Sequence, residues 1–250
     1  MPELSIVSIV HDSPLWIELC IKSIRRFTQS DHELIIIDNG SSPENLWWLR
    51  EQSDIWLIEN GDNSRSHGGG MDQAIEVAEG RHVCIIDSDA HVQRRGWETD
   101  LLTLYASDPL NRLLCKTGPI GIGRPLAPPV FLVERDFIRE HHLTFRHQKG
   151  DSKSTDTAQK VYWDILELGY KVQFINRGAH IYDPAVDGDE VWVAGKPTIY
   201  HHHYGTRIKH TGDNAWKWTG WTLPEADIKR HEARTALLFN QPLVRDILQG

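Results

Sequence analysis

The sequence predicts an α/β protein built on a mainly parallel sheet flanked by helices. Three observations predict it. Short apolar, β-rich runs alternate with segments whose apolar residues recur at helical spacing. The strand-like runs of the first half lead into polar residues, which a parallel sheet gathers along one rim where ligands bind. The fourth run, His82–Ile86, delivers two carboxylates one residue apart in Asp87-Ser88-Asp89-Ala90.

The elements follow in order. Ser5–Val10 is the first strand. Asp12-Ser13-Pro14 starts a helix, with Ser13 as N-cap and Pro14 at the first helical position, and Ile17, Cys20, Ile21, Ile24 and Phe27 form its apolar stripe. Leu34–Asp38 is continuously apolar up to its end, as a strand covered on both faces should be. A second helix starts at Ser42-Pro43-Glu44 and carries Leu46, Trp47 and Leu49; Ile55–Ile58 is the third strand. A third helix runs from about Gly70 to Glu79, with Gly80 as its C′ stop. This β-α-β-α-β-α-β order implies parallel strands joined by right-handed crossovers. Beyond it, Trp97–Tyr105 reads as helix, 118–125 as a breaker-rich loop and Val130–Val133 as strand. Residues 156–168 read as helix, Val172–Ile175 as strand and Glu225–Phe239 as a closing helix.

Length and charge set limits. The 250 residues fit one large α/β domain, or a domain with an appendage. A formal net charge of -8 argues against a general nucleic-acid binder, which would show a basic face. Cys20, Cys84 and Cys115 are scattered in apolar surroundings and read as buried reduced thiols. No basic-then-apolar leader follows Met1, and no apolar run approaches the roughly 18 residues a membrane span needs. The expectation is a cytoplasmic protein with no transmembrane segment. Trp216, Trp218 and Trp221 stand in a polar, Gly-containing stretch, where they would stack on sugar, form an oligomer contact or pack back on the domain.

The strand ends carry the chemistry. They are His11-Asp12, Asp38-Asn39-Gly40, the glycine-rich loop 60–70 and Asp87-Ser88-Asp89. Asp38 can accept from the N3–H of a uracil base or from a ribose hydroxyl. Gly68-Gly69-Gly70, opening a helix, can bring backbone N–H groups close to a ligand. Asp87 and Asp89 offer hard oxygens, suited to Mg²⁺ or Mn²⁺ held jointly with substrate phosphates. Each has a plainer reading: Asp38-Asn39-Gly40 is also a turn signal, and three glycines also relax a tight connection.

With these motifs in this order, the chain resembles the family 2 glycosyltransferases and their relatives with the GT-A (Rossmann-like) fold. The matching stretches are 4–10, 34–42, Asn60 through Ala74, and Val83–Ala90. The resemblance implies a nucleotide-sugar-binding half over 1–106 and an acceptor-side half of the same domain over 107–206. A Trp-rich, helical C-terminal extension over 207–250 would follow. It implies a nucleoside-diphosphate sugar donor, a UDP-sugar foremost, an unknown acceptor, and Mn²⁺ or Mg²⁺. Asp38 would contact the base, Asp87 the ribose and metal, and Asp89 the metal and diphosphate. His11, Asn60, Arg65, Gly68 and Asp72 would line the donor site, although the loop departs from the family's second Asn at Asp72. Asp156, ahead of a helical run, would be the general base on the acceptor, and it reads equally as a first-turn Asp favoured by the helix dipole. Among His201, His202 and His203, strand alternation favours the outer two as metal ligands, whereas family spacing would align His202. Arg207 would clamp a phosphate. Inversion at the anomeric carbon follows if Asp156 is the base. A retaining transferase, a nucleotidyltransferase and an inactive sugar- or nucleotide-binding module are the other readings. The second lacks its expected Gly-rich basic segment at His11-Asp12-Ser13-Pro14.

Overall fold

The computed structural model describes residues 2–117, 126–148, 156–178, 181–182, 185–186, 188–202 and 225–250. In chain order its elements begin with β1 (Leu4–Val10), α1 (Pro14–Phe27), β2 (His32–Asn39), α2 (Pro43–Arg50) and β3 (Trp56–Asn60). A single 3-10 turn, Asn63–Arg65, leads into α3 (Ser66–Val77), then β4 (His82–Ile86), β5 (Ala90–Val92), α4 (Trp97–Ala106) and β6 (Asn111–Thr117). The second half holds β7 (Leu126–Glu134), α5 (Arg135–Glu140), α6 (Gln159–Glu167), β8 (Lys171–Arg177), β9 (Asp189–Val193) and β10 (Lys196–His201). Helices α7 (Glu225–Phe239) and α8 (Pro242–Gln249) close the chain.

The strands form one ten-stranded sheet in the order β3-β2-β1-β4-β7-β6-β8-β9-β10-β5. The expected parallel arrangement holds across β3, β2, β1 and β4. Beyond β4 the sheet is mixed: β7 runs antiparallel to both β4 and β6, β8 returns parallel to β6, and β9, β10 and β5 are antiparallel to their neighbours. In register, Val10 lies opposite Asp38 and Asp38 opposite Glu59, so the first strands end together at one rim.

Continuous apolar runs form strands here because both faces are covered. Ile6 and Val10 of β1, Leu34 and Ile36 of β2, and Cys84 and Ile86 of β4 join one core layer with α1 and α4. Val7 and Ile9, Ile35 and Ile37, and Val83 and Ile85 join the opposite layer with α3, α5 and α6. All three cysteines are buried and free, as expected. Burial pushes the Cys20 thiol up to about 12, which makes it an unreactive packing group.

Pro14 takes its expected place in the first turn of α1, but the Ser13 side chain caps nothing; its carbonyl accepts from Ile17 N at 3.1 Å. Helix α3 starts at Ser66 rather than Gly70, so the three glycines lie inside it. They permit close approach: a Cβ on Gly68 would sit 2.4 Å from the Phe145 carbonyl oxygen, and one on Gly70 would sit 2.9 Å from the Ile9 side chain. Gly80 is not the left-handed stop expected of it, because α3 ends at Val77 with Ala78 as C-cap. Its amide donates to Ser5 Oγ at 2.9 Å, and a Cβ there would lie 2.5 Å from Ser5 N.

The C-terminal helices pack back on α1. Trp16 meets Phe239 with ring centroids 5.2 Å apart, Lys22 Nζ donates to the Leu248 carbonyl at 2.6 Å, and Leu238, Val244 and Ile247 are buried. Trp216, Trp218 and Trp221 lie outside the described residues. Among those described, no helix is long and apolar enough to cross a membrane.

The close approach of Gly80 to β1 makes a direct prediction. Gly80→Ala should destabilise the fold by about 1–3 kcal/mol, the usual cost of overpacking, since the atom it meets is backbone and cannot swing aside. Urea unfolding should show a lower midpoint with an unchanged m value; an unchanged midpoint would refute the packing argument.

Candidate metal centre

The centre is built by the turn that follows β4. Asp87 N donates to the Pro129 carbonyl at 3.0 Å, and Ala90 N closes the turn on the Asp87 carbonyl at 2.9 Å. The chain then enters β5, where Ala90 pairs with His201 at the end of β10, and His202 N donates to the Asp89 carbonyl at 3.0 Å. The acidic turn is thereby fastened to the end of a strand contributed by residues more than a hundred positions later.

This brings three ligands of two types together. His201 Nε2 lies 3.5 Å from Asp87 Oδ2 and 3.3 Å from Asp89 Oδ1. One ligand atom from each of Asp87, Asp89 and His201 falls within a 4.8 Å cluster. Strand alternation sends His202 the other way, where its ring stacks on Trp16 at 4.5 Å. Of the two described histidines of the run, His201 is the one at the acidic turn; His203 lies outside the described residues, as does Arg207.

Two further groups complete the surroundings. His67 Nε2 stands 3.4 Å from Asp87 Oδ1, on the other side of that carboxylate. Behind the site, Lys116 of β6 makes a buried ion pair with Asp189 of β9, and its charge reaches Asp87 and His201. Burial alone would raise the pKa of Asp87; the His67 contact and the charges of His67, His201 and Lys116 outweigh it and hold the carboxyl below the usual range. Burial disfavours charge on His201, but the facing carboxylates of Asp89 and Asp87 prevail and raise its pKa. For His67 the balance is the same: burial is overcome by Asp87, then Asp89 and Asp156.

The donor set fits a hard divalent cation. Carboxylate oxygens with one imidazole suit Mn²⁺ and Mg²⁺. Charge agrees: the carboxylates of Asp87, Asp89 and Asp189 against the ammonium of Lys116 leave about two negative charges when the imidazoles are neutral.

The other expected site residues are placed as follows. Asp38 is fully buried, and its Oδ2 accepts from Gly40 N and Ser41 N, both at 3.0 Å. Burial raises its pKa against the lowering effect of those hydrogen bonds and of nearby His11. His11 lies beside Asp12, whose Oδ1 accepts from Ser42 N at 2.8 Å and Asn45 Nδ2 at 2.9 Å, locking the end of β1 to the start of α2. Asn60 Nδ2 donates to Asn39 Oδ1 and Gln73 Oε1, joining β3 to β2 and α3. Asp72 is engaged by the 144–146 segment: it accepts from Thr144 Oγ1 at 2.6 Å and Phe145 N at 2.8 Å, and pairs with Arg146. Gly68 lies under the Phe145 carbonyl, and Arg65 is exposed on the 3-10 turn. Asp156 is exposed just before α6, two residues from Ala158, whose amide donates to the Phe145 carbonyl at 2.8 Å. Its charge contributes, as the smallest of the causes, to the raised pKa of His67.

Sequence reading gave His67 no firm role beside Arg65 and Asp72, and it missed Lys116 and Asp189. His67 stands just before the glycines that drew the attention, and a lysine inside an apolar strand is the one signal Lys116 offered.

An open α/β sheet with an acidic turn closing β4 at its carboxyl rim defines the class as the GT-A fold. The chain belongs to glycosyl transferase family 2, whose model matches residues 5–165. It is 24% identical over 147 residues to the putative glycosyltransferase EpsH of Bacillus subtilis (strain 168), a match covering 57% of this chain and 42% of that protein. The chain thus spans less than half of that curated relative. Among solved structures it is similar to the mannosyltransferase PcManGT from Pyrobaculum calidifontis in complex with GDP-Man and Mn²⁺ (TM-score 0.55, 16% identity, 69% of this chain and 54% of that one). It is similar also to GalNAc-T7 with UDP, GalNAc and Mn²⁺ (TM-score 0.54, 15% identity, 70% and 42%). S. aureus TarS 1-349 aligns over 96% of this chain and 72% of its own, at TM-score 0.54 and 13% identity.

The ion pair beside the centre is testable by itself. Lys116→Met should cost about 3–5 kcal/mol, because it strips the ammonium from the buried Asp189. Lys116→Met with Asp189→Leu should recover most of that loss in denaturant unfolding. A single variant as stable as the parent would show the pair to be energetically idle.

Proposed function

We propose that this chain is a metal-dependent glycosyltransferase that moves a sugar from a nucleoside-diphosphate sugar, foremost a UDP-sugar, to a hydroxyl of an acceptor, with inversion at the anomeric carbon. The observation that carries the reading is the convergence of Asp87, Asp89 and His201 at the rim of the sheet. Family membership and the nucleotide- and Mn²⁺-bound structures it resembles support it.

Asp87, Asp89 and His201 would hold the cation, which would supply charge neutralisation for the departing nucleoside diphosphate. On the base side, Asp38 is fully buried and holds Gly40 N and Ser41 N, so it shapes the turn 38–41, and direct contact with a base or ribose would require that turn to open. His11 borders the same turn, and Asn60 fixes the start of the loop that carries Arg65 and His67. Asp156 is the group that takes the proton from the attacking hydroxyl. Its exposure suits a residue that must meet an acceptor arriving from solvent, and the charge it exerts on His67 supports a position within electrostatic range of the proposed cation site. A direct displacement by that hydroxyl inverts the anomeric centre.

Two variants separate the two halves of this reading. Asp89→Asn should weaken Mn²⁺-dependent UDP binding by on the order of 100-fold in calorimetry, given that even outer partners of metal ligands matter at the 10- to 100-fold level. UDP binding equal in both proteins, and indifferent to EDTA, would contradict the cation site. Asp156→Asn should bind UDP and Mn²⁺ normally yet slow transfer by about 10²–10⁴, the span of general base catalysis. Full transfer by that variant would remove Asp156 as the base.

A further inference from the structure

The two oxygens of Asp87 face different imidazoles. Oδ2 lies toward His201 at 3.5 Å, on the side shared with Asp89, and Oδ1 lies toward His67 at 3.4 Å. We propose that His67 is a positioning residue that reserves Oδ1 of Asp87, so that this carboxylate offers a divalent cation one oxygen rather than two. This rests on reading Asp87, Asp89 and His201 as the cation site.

An aspartate carboxylate turns easily about its last torsion, and a cation that can take both oxygens will do so unless one is engaged. His67 can engage it because its own backbone is pinned. It is the second residue of α3, next to Gly68, where a Cβ would meet the Phe145 carbonyl oxygen at 2.4 Å. Asp72, one turn further along, grips Thr144 and Phe145 and holds that segment against the helix. The imidazole is left 37% exposed at the mouth, with Asp87 as its ion-pair partner.

A carboxylate limited to one oxygen suits the near-octahedral shells of small divalent ions. It is less suited to Ca²⁺, which takes six to eight oxygens and accepts bidentate carboxylates. His67 therefore acts on metal selectivity through Asp87. A role in holding the loop alone would weaken all cations together.

The test uses the full chain without nucleotide, titrated calorimetrically with MnCl₂ and with CaCl₂, for the parent, His67→Leu, His67→Gln and Asp89→Asn. The Leu variant should bind Mn²⁺ about 10–100-fold more weakly. It should lose less for Ca²⁺, so the Mn²⁺-to-Ca²⁺ ratio narrows. The Gln variant, with an amide N–H to offer Oδ1, should recover the ratio. Parent-like Mn²⁺ binding in His67→Leu, or equal losses for both ions, would overturn the proposal while leaving the cation site standing. Parent-like binding in Asp89→Asn would instead overturn the site itself. Should the Leu variant fail to fold, the parent decides: no preference for Mn²⁺ over Ca²⁺ refutes the role.

Discussion

Two carboxylates held side by side in a nearly dry turn are the constraint around which the rest of the molecule is arranged. Asp89 and Asp87 show only 6% and 15% of their side chains to solvent. Ionised groups in such a place demand counter-charge. The chain supplies it from three directions: His201 from the end of β10, His67 from the start of α3, and the Lys116–Asp189 pair from β6 and β9. The long antiparallel extension of the sheet does more than add core. By pairing β5 with β10 it carries His201 to the rim where β1, β2 and β4 end.

That requirement explains which parts of the fold were legible in the sequence. Strands β1, β2 and β4 bury apolar side chains on both faces, so each reads as a largely hydrophobic run at its proper place, while β3 at the sheet edge keeps Trp56 exposed. The strands that serve the site do not. Strand β6 contains Lys116, β9 opens with Asp189-Glu190, and β10 contains a proline and ends in histidine. Their polar residues are buried against one another, which tertiary contact alone makes tolerable. A sequence window sees such residues as loop. The short β5 was hidden for a different reason: only its partner β10 makes Ala90–Val92 a strand. The mixed direction of the sheet was likewise invisible, since apolar patterning says nothing about which way a strand runs.

The candidate site divides along the same line. Asp87 and Asp89 were readable by position, because a doublet of carboxylates that is common in turns and on surfaces here follows a buried strand at the rim of the sheet. His201 was readable as one of three, and strand alternation chose it over His202, which became a packing partner of Trp16. Glycines, asparagines and aspartates in the loop after β3 were read as ligand contacts, yet many of them hold the protein to itself. Asn60 ties three elements together, Asp72 fastens the 144–146 segment, and Gly68 admits that segment's backbone. A residue type that suits a ligand equally suits an internal hydrogen bond, and sequence alone cannot distinguish the two.

These internal ties join the two sides of the mouth. From Asp87 the path runs to His67, through the first turn of α3 to Phe145, and from the Phe145 carbonyl to Ala158 and the loop that bears Asp156. Every step is a packed contact, a hydrogen bond or a short stretch of backbone. A transferase must keep its acceptor-side base at a fixed reach from the leaving diphosphate, and a base set on an exposed segment has no rigidity of its own. Here the 144–146 segment lies close against α3 because Gly68 admits the Phe145 carbonyl, the same carbonyl accepts from Ala158 N, and α3 is joined through His67 to Asp87, the carboxylate proposed to face the cation. The glycines of α3 thus serve backbone contact between the two halves of the proposed site.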